Sequence, residues 1–379
     1  MTRRLLFRTG LGLVLVCLLV VGFLLWRFAT PTMVLEDMVA AGGSSLIKEM
    51  TDEPVRSTGF VPMSGDTLAV DTYVDRNGYR GHLILVPGFS PAGKDDGRLM
   101  ALAKTFARAG FAVHVPDLPG SRSLMVSEVD VEGLIATIKA RTGEAVDETP
   151  VGIAAVSYAA GPAMVAAIDA RVADRVDYVV ALGGYHDAES VITYLTTGAF
   201  RETGETEWQY GPGNLRAGWV FMAANAERWP DPAEGELLQE AARLRAENPD
   251  VDLSNLRAYL GSDAVALMEL FENRDPDRSG ALLQALPPSI LTSLTTLSPS
   301  RHDLESLGGK LILVHGLDDQ IVPYTESLNL RTTVPDTELF LVSSFTHVDP
   351  DDVDWQGYVT MMLAVETILD RGLGSLQEL

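Results

Sequence analysis

Hydrophobic positions along the chain fall into three regimes. Residues 10–26 (GLGLVLVCLLVVGFLLW) are apolar and carry no charge. As a helix rising about 1.5 Å per residue, this run nearly spans a hydrocarbon core of roughly 30 Å. Leu5, Leu6 and Phe7 can extend it, with Arg8 snorkelling towards the headgroups. Residues 29–54 read as a linker with a short helical stretch. Residues 55–61 and 68–74 then flank a Ser64-Gly65-Asp66 turn, as two antiparallel strands would.

Beyond residue 80 the period changes. Residues 83–86, 112–115, 151–156, 178–182, 311–314 and 338–342 are short runs rich in apolar and β-branched residues, the pattern of strands buried on both faces. Between them 98–109, 129–140, 161–171, 324–331 and 355–370 read as amphipathic helices. Strand and helix in alternation predict an α/β fold with right-handed crossovers and a mainly parallel sheet covered on both faces. One interval breaks the rhythm. From 185 to 307 there is no convincing strand, only helix-like stretches at 234–247, 255–272 and 280–294, which predicts a helical cap inserted over one edge of the sheet. The expected organisation is therefore a cytoplasmic tip and transmembrane anchor over 1–28, a linker over 29–54, an α/β core over 55–184 and 308–379, and the cap over 185–307.

Charge and cysteine usage narrow the functions this architecture can serve. A net charge of −23 argues against a nucleic-acid binder, because phosphate contacts need clustered Lys and Arg. The single cysteine, Cys17, lies in the apolar run, so neither an intrachain disulfide nor a paired-thiolate metal site can form. No HExxH occurs, and no metal ligand set is assigned. Arg3, Arg4 and Arg8 precede the apolar run and only Arg27 closely follows it, which places the N-terminus in the cytoplasm and the body of the chain outside, periplasmic or extracellular. The rival reading is a cleaved signal peptide, for which Val39 and Ala41 form an A-x-A-like site far beyond the apolar end.

Open α/β sheets bind ligands at the carboxyl ends of their strands, and three such ends carry chemistry. In Val-Gly-Ile-Ala-Ala-Val-Ser-Tyr-Ala-Ala-Gly-Pro (151–162) a buried strand runs into Ser157 and a helix follows at once. In Leu-Ile-Leu-Val-His-Gly-Leu-Asp-Asp-Gln-Ile-Val-Pro (311–323) a late strand leads to Asp318 and Asp319, and in Leu-Val-Ser-Ser-Phe-Thr-His (341–347) the last predicted strand leads to His347.

These segments resemble the α/β-hydrolase superfamily, whose chain order is Ser, then Asp, then His. The serine segment resembles its G-x-S-x-G nucleophile elbow with Ala for both glycines. The late strand resembles its H-G-x-x-D-x-x-V-P acid loop, and this alignment selects Asp319 over Asp318. A Gly usually precedes the histidine, where this chain has Thr346. Leu-Ile-Leu-Val-Pro-Gly-Phe (83–89) resembles the oxyanion turn with Pro87 for His, and Ala-Gly-Phe-Ala-Val-His-Val-Pro-Asp-Leu-Pro-Gly (109–120) resembles the fourth strand and its D-x-x-G turn, with Asp117 and Gly120 in structural roles. The resemblance covers roughly residues 55–370 and implies Ser157 as nucleophile, His347 as general base and Asp319 as the acid that orients it, with backbone N–H groups of Phe89 and Tyr158 as oxyanion donors.

What it implies chemically is acyl transfer without a cofactor or metal. A small-molecule or lipid-like ester is the expected substrate, and a cap rich in Leu, Phe, Trp and Met, as in Trp-Val-Phe-Met (219–222), suits an apolar acyl or alcohol moiety. Lactone opening, thioester cleavage, transfer to another acceptor, or an inactive binding module on the same fold stay open. The 88–94 stretch also satisfies part of the P-loop formula, but Asp95 replaces the Mg²⁺-binding hydroxyl and Pro91 removes a phosphate-cradling N–H, which excludes nucleotide hydrolysis there.

Overall fold

The computed structural model describes residues 2–40, 42–63, 65–142, 149–211, 213–227, 229–346 and 354–374. The first element is a long helix, α1 (Thr2–Val39), followed by the single turn α2 (Leu46–Met50). Within α1 the span Leu18–Val39 is long and apolar enough to cross a bilayer. Its last turns do not, however, form the linker that the polarity of 29–54 predicts. Val34 and Leu35 are both 0% exposed, and Asp37 accepts from Thr105 Oγ1 at 2.6 Å and pairs with Lys48 Nζ at 2.8 Å. Thr105 lies 68 residues along the chain, so no local pattern reveals that contact.

Strands β1 (Val55–Met63) and β2 (Asp66–Val74) pair antiparallel, with Val55 opposite Val74. The winding part then runs β3 (Gly81–Val86), α3 (Gly97–Ala109), β4 (Phe111–Pro116), α4 (Pro119–Arg122), α5 (Val129–Thr142), β5 (Val151–Val156), α6 (Ala160–Ile168) and β6 (Tyr178–Leu182). α6 stops at Ile168, short of the expected 171, because Asp169 turns to extended backbone and its carboxylate accepts from Arg171 N at 2.9 Å.

An insertion follows β6. It holds α7 (Ala188–Thr197), a two-residue ribbon of β7 (Ala199–Phe200) and β8 (Gln209–Tyr210), then α8 (Leu215–Ala226), α9 (Pro232–Glu247), α10 (Ser254–Arg257), α11 (Ser262–Glu272), α12 (Pro276–Gln284) and α13 (Pro288–Thr296). The ribbon is the only strand structure among its described residues. The chain returns through β9 (Leu311–Gly316), α14 (Thr325–Thr333), β10 (Glu338–Val342) and α15 (Trp355–Leu373).

The main sheet has the order β1-β2-β4-β3-β5-β6-β9-β10, and β2 alone runs against the other seven strands. β3, β4 and β9 are buried along their whole length, which is why they read as unbroken apolar runs rather than alternating ones. One face is covered by α5 and α6, through Leu134, Ile138 and Met164. α3, α15 and the end of α1 cover the other, through Leu99, Phe106, Leu369 and Val34. The insertion has its own core around Trp219, Leu238, Met268 and Phe271.

Candidate active site

Ser157 ends β5 in a conformation that L-residues avoid. Its φ is +55°, between Val156 in extended backbone and a tight turn that opens α6. Left-handed backbone at a residue with a Cβ costs roughly 1–2 kcal/mol. Crowding is relieved by what flanks it: Ala155 and Ala159 are fully buried, and Gly88 lies against the serine from β3. A Cβ on Gly88 would stand 3.0 Å from the Val156 carbonyl oxygen and 3.3 Å from Ser157 Cβ, so this turn can approach the serine only because residue 88 has no side chain.

The turn 87–90 is held from behind by residues that sequence patterns do not single out. Ser121, fully buried, donates its hydroxyl to the Pro87 and Gly88 carbonyls, and its own carbonyl accepts from Ser90 N at 3.1 Å. Ser121 N and Gly120 N in turn donate to the Asp130 carboxylate at 3.0 and 2.8 Å. Burial pushes Asp130 up to about 6 despite those two N–H groups. Tyr158 approaches the same carboxylate with its hydroxyl at 3.5 Å, and its ring stacks on Phe89 with centroids 4.1 Å apart and planes 14° from parallel. Only the D-x-x-G turn around Gly120 hinted at this shell.

Asp319 and Asp318 part company in the structure. Asp318 is exposed, whereas Asp319 is 3% exposed and its Oδ1 accepts from Ile321 N at 2.8 Å and Val322 N at 2.9 Å. Its Oδ2 lies 3.5 Å from His315 Nε2. The loop is tied to the insertion by Tyr194 Oη, which donates to the Asp319 carbonyl at 3.0 Å, and by Asn214 N, which donates to the Gln320 carbonyl at 2.8 Å. Asp187, the other carboxylate at this edge, caps α7 and accepts from Ser300 Oγ at 2.7 Å. His347 lies outside the described residues. The chain reaches Thr346, and the Phe345 carbonyl backs onto Gly316, three residues before Asp319.

Between these loops and the insertion is a cavity of about 760 Å³. Its floor includes Pro87–Ser90, Val156–Tyr158 and Ile321–Val322, and its roof comes from α7, α8 and α13. The roof divides the Trp-Val-Phe-Met stretch in two: Val220 and Phe221 face the cavity, while Trp219 and Met222 belong to the core of the insertion. Arg98 and Arg216, both exposed, stand at the rim. Of the other histidines, His315 stays beside the Asp319 loop, its Nε2 3.0 Å from the Val322 carbonyl and its Nδ1 2.7 Å from Ser327 Oγ, whereas His82 Nδ1 is 3.0 Å from His114 Nε2, His114 Nδ1 is 3.1 Å from Thr72 Oγ1, His186 Nε2 is 3.4 Å from Thr333 Oγ1 and His302 Nε2 is 2.7 Å from the Thr296 carbonyl. Lys94 turns away to Asp71 and Asp95, each at 3.3 Å.

No family model and no curated protein matches the sequence. Solved structures similar in fold include a puromycin-hydrolyzing peptidase of Mycobacterium tuberculosis (14% identity, TM-score 0.47, 85% of this chain and 40% of that one). An esterase of Pyrobaculum calidifontis (14%, TM-score 0.47, 87% and 90%) and the metagenomic carboxylesterase EstE1 (14%, TM-score 0.45, 86% and 93%) are others. This chain spans less than half the length of the peptidase. These likenesses are distant, and the assignment rests on the chain's own topology. Eight strands wound in the order 1-2-4-3-5-6 and then two more, with only the second reversed and a left-handed serine at the end of the fifth, make this an α/β-hydrolase-fold protein.

Proposed function

We propose that the chain is a membrane-anchored serine hydrolase that cleaves a carboxylic ester or related acyl bond through an acyl-enzyme intermediate. The observation that carries this reading is Ser157, held left-handed on the floor of an apolar cavity with the Gly88 turn pressed against it. Ser157 Oγ attacks the carbonyl carbon while His347 takes its proton. The oxyanion accepts from the backbone N–H groups of Phe89 and Tyr158, and Asp319 holds the imidazole and stabilises its protonated form. His347 then protonates the departing alcohol, and water, deprotonated by the same imidazole, releases the acid. The Phe221 and Val220 wall favours an apolar group on the substrate.

The anchor reading is supported by the end of α1. Cleavage after Ala41 would remove Val34 and Leu35 from the folded body, so the helix is read as retained, with the N-terminus cytoplasmic and the catalytic domain outside.

The test is covalent labelling by a fluorophosphonate followed by peptide mapping. The label is expected on Ser157, with Ser157→Ala unlabelled, folded and on the order of 10⁴ to 10⁶ less active on esters. Labelling of another serine, or an active Ser157→Ala protein, overturns the assignment.

A further inference from the structure

The path of α1 across the body fixes where the site lies relative to the bilayer. α1 docks antiparallel to α15: Arg27 pairs with Glu366 and lies 3.7 Å from Asp370, Thr32 reaches Met362 Sδ at 3.5 Å, and Leu35 packs with Met361 and Ala364. α15 itself runs from the carboxyl edge of the sheet to the amino edge. Asp354 at its start accepts from Ser343 Oγ, just past the end of β10, at 2.7 Å. Gly372 near its end backs onto Gly81, the first residue of β3, and onto Phe111 and Tyr178, the first residues of β4 and β6. α1 therefore climbs towards the carboxyl edge, and the apolar segment preceding Arg27 leaves by the amino edge.

α3 bounds how far the docked stretch climbs. Asp37, at the top of the docked stretch, meets Thr105 and Arg108 in the last two turns of α3, whereas Arg98, in its first turn, is on the cavity rim. Six-residue strands at about 3.3 Å per residue separate the two edges by roughly 20 Å. Pro31 lies inside α1 and removes one backbone hydrogen bond, which bends a helix without reversing it. A net charge of −23 also opposes tipping the body onto anionic headgroups.

We propose that the anchor presents the catalytic edge away from its own bilayer, so that the site takes esters arriving through the aqueous phase and not lipids lying in the membrane that holds it. This rests on the serine-hydrolase reading for its chemistry, though not for its geometry. The cavity wall still selects an apolar group, which makes the substrate class a water-borne ester with an apolar moiety.

The test uses full-length Cys17→Ala protein in phosphatidylcholine vesicles carrying an acceptor-labelled lipid. A single fluorophore is placed at Val220→Cys on the rim or at Asp370→Cys beside Arg27. Energy transfer to the bilayer is expected to be strong from 370 and at least about threefold weaker from 220, given an offset of roughly 20 Å. Equal transfer from both, or more from 220, overturns the orientation. With unlabelled wild-type protein in vesicles of the same composition, 4-nitrophenyl butyrate in the water phase should be hydrolysed within about twofold of its rate in detergent, and a fluorogenic diacyl ester confined to the bilayer about tenfold more slowly than in mixed micelles. Diacyl hydrolysis that rises with its surface fraction in the protein's own vesicles overturns the proposal. Absence of both activities and of fluorophosphonate labelling would sink the hydrolase reading alone, leaving energy transfer to decide the orientation.

Discussion

The rings of Phe89 and Tyr158 stack 4.1 Å apart, and these are the two residues whose backbone N–H groups are proposed to hold the oxyanion. One sits in the turn after β3, the other follows Ser157, so the ring contact fixes the separation of the two donors. Phe89→Ala is expected to lower kcat for a short ester by about 10- to 100-fold with little change in KM, below the 10²–10³ of losing a donor outright. Tyr158→Phe keeps the stack and should stay within about threefold of wild type. Steady-state kinetics on both variants checks this, and an unchanged kcat in Phe89→Ala would remove the stack from the positioning machinery.

Asp319→Asn is expected to be the severe lesion of its loop, lowering kcat by about 10⁴ by leaving the imidazole in the wrong tautomer. Asp318→Asn, on an exposed side chain, and Asp187→Asn, on a helix cap, should retain activity within about tenfold. A far less active Asp187→Asn enzyme would reassign the acid to the loop after β6.

What could be read in advance follows from how local each feature is. The parallel strands are legible because burial on both faces makes β3, β4 and β9 continuous apolar runs, and the turn at Ser157 because Ala155 and Ala159 leave room for it within five residues. The docking of α1 is not legible. Val34 and Leu35 are as apolar as a membrane helix, and the surfaces they meet on α3 and α15 are supplied from about residues 99–109 and 361–369. The Ser121 and Asp130 shell is hidden for the opposite reason, since buried polar residues carry no periodic signal. The split of Trp219 and Met222 from Val220 and Phe221 depends on the roll of α8, which composition does not determine.

Glu326 gives a pH prediction. It is fully buried at the start of α14, where Oε2 accepts from His186 N and Asp187 N at 2.9 and 2.8 Å. Burial, with the Asp187 carboxylate nearby, pushes it from 4.5 up to about 7. Because the folded value lies above the unfolded one, the stabilisation is complete below pH 4.5 and is lost as the pH rises through about 7, by up to about 3 kcal/mol. Glu326→Gln mimics the protonated acid, so its urea-unfolding free energy should fall less between pH 5 and 8 than that of wild type. Identical pH dependence in the two proteins would show that Glu326 titrates in the folded protein as it does in the unfolded chain.

Phe221 is expected to set the acyl-length limit. A second cavity of about 220 Å³ lies inside the insertion and shares Val126, Ile192, Phe221 and Leu294 with the larger one. Phe221→Ala should join the two and raise kcat/KM for a dodecanoyl ester relative to a butanoyl ester by about tenfold, the scale of one or two methylene groups accommodated. A ratio unchanged in Phe221→Ala would place the acyl chain elsewhere.

The end of α1 should matter to a body that no longer needs a membrane. Leu35 packs with Val342, Phe345 and Met361, so Leu35→Ala is expected to cost about 2–4 kcal/mol even in a soluble form that begins at Phe28. A form beginning at Gly42 loses Val34, Leu35 and Asp37 together, leaving Lys48 without its carboxylate and Thr105 without the side-chain acceptor that its hydroxyl meets. It should melt well below the form beginning at Phe28, and refold poorly, because the gap opened along α3 and α15 exposes apolar surface that water must then cover. Thermal melts of the two forms decide the matter. If the shorter one were equally stable, residues 31–38 would be dispensable to the fold, and a cleaved signal peptide ending near Ala41 would become the better account of the N-terminal segment.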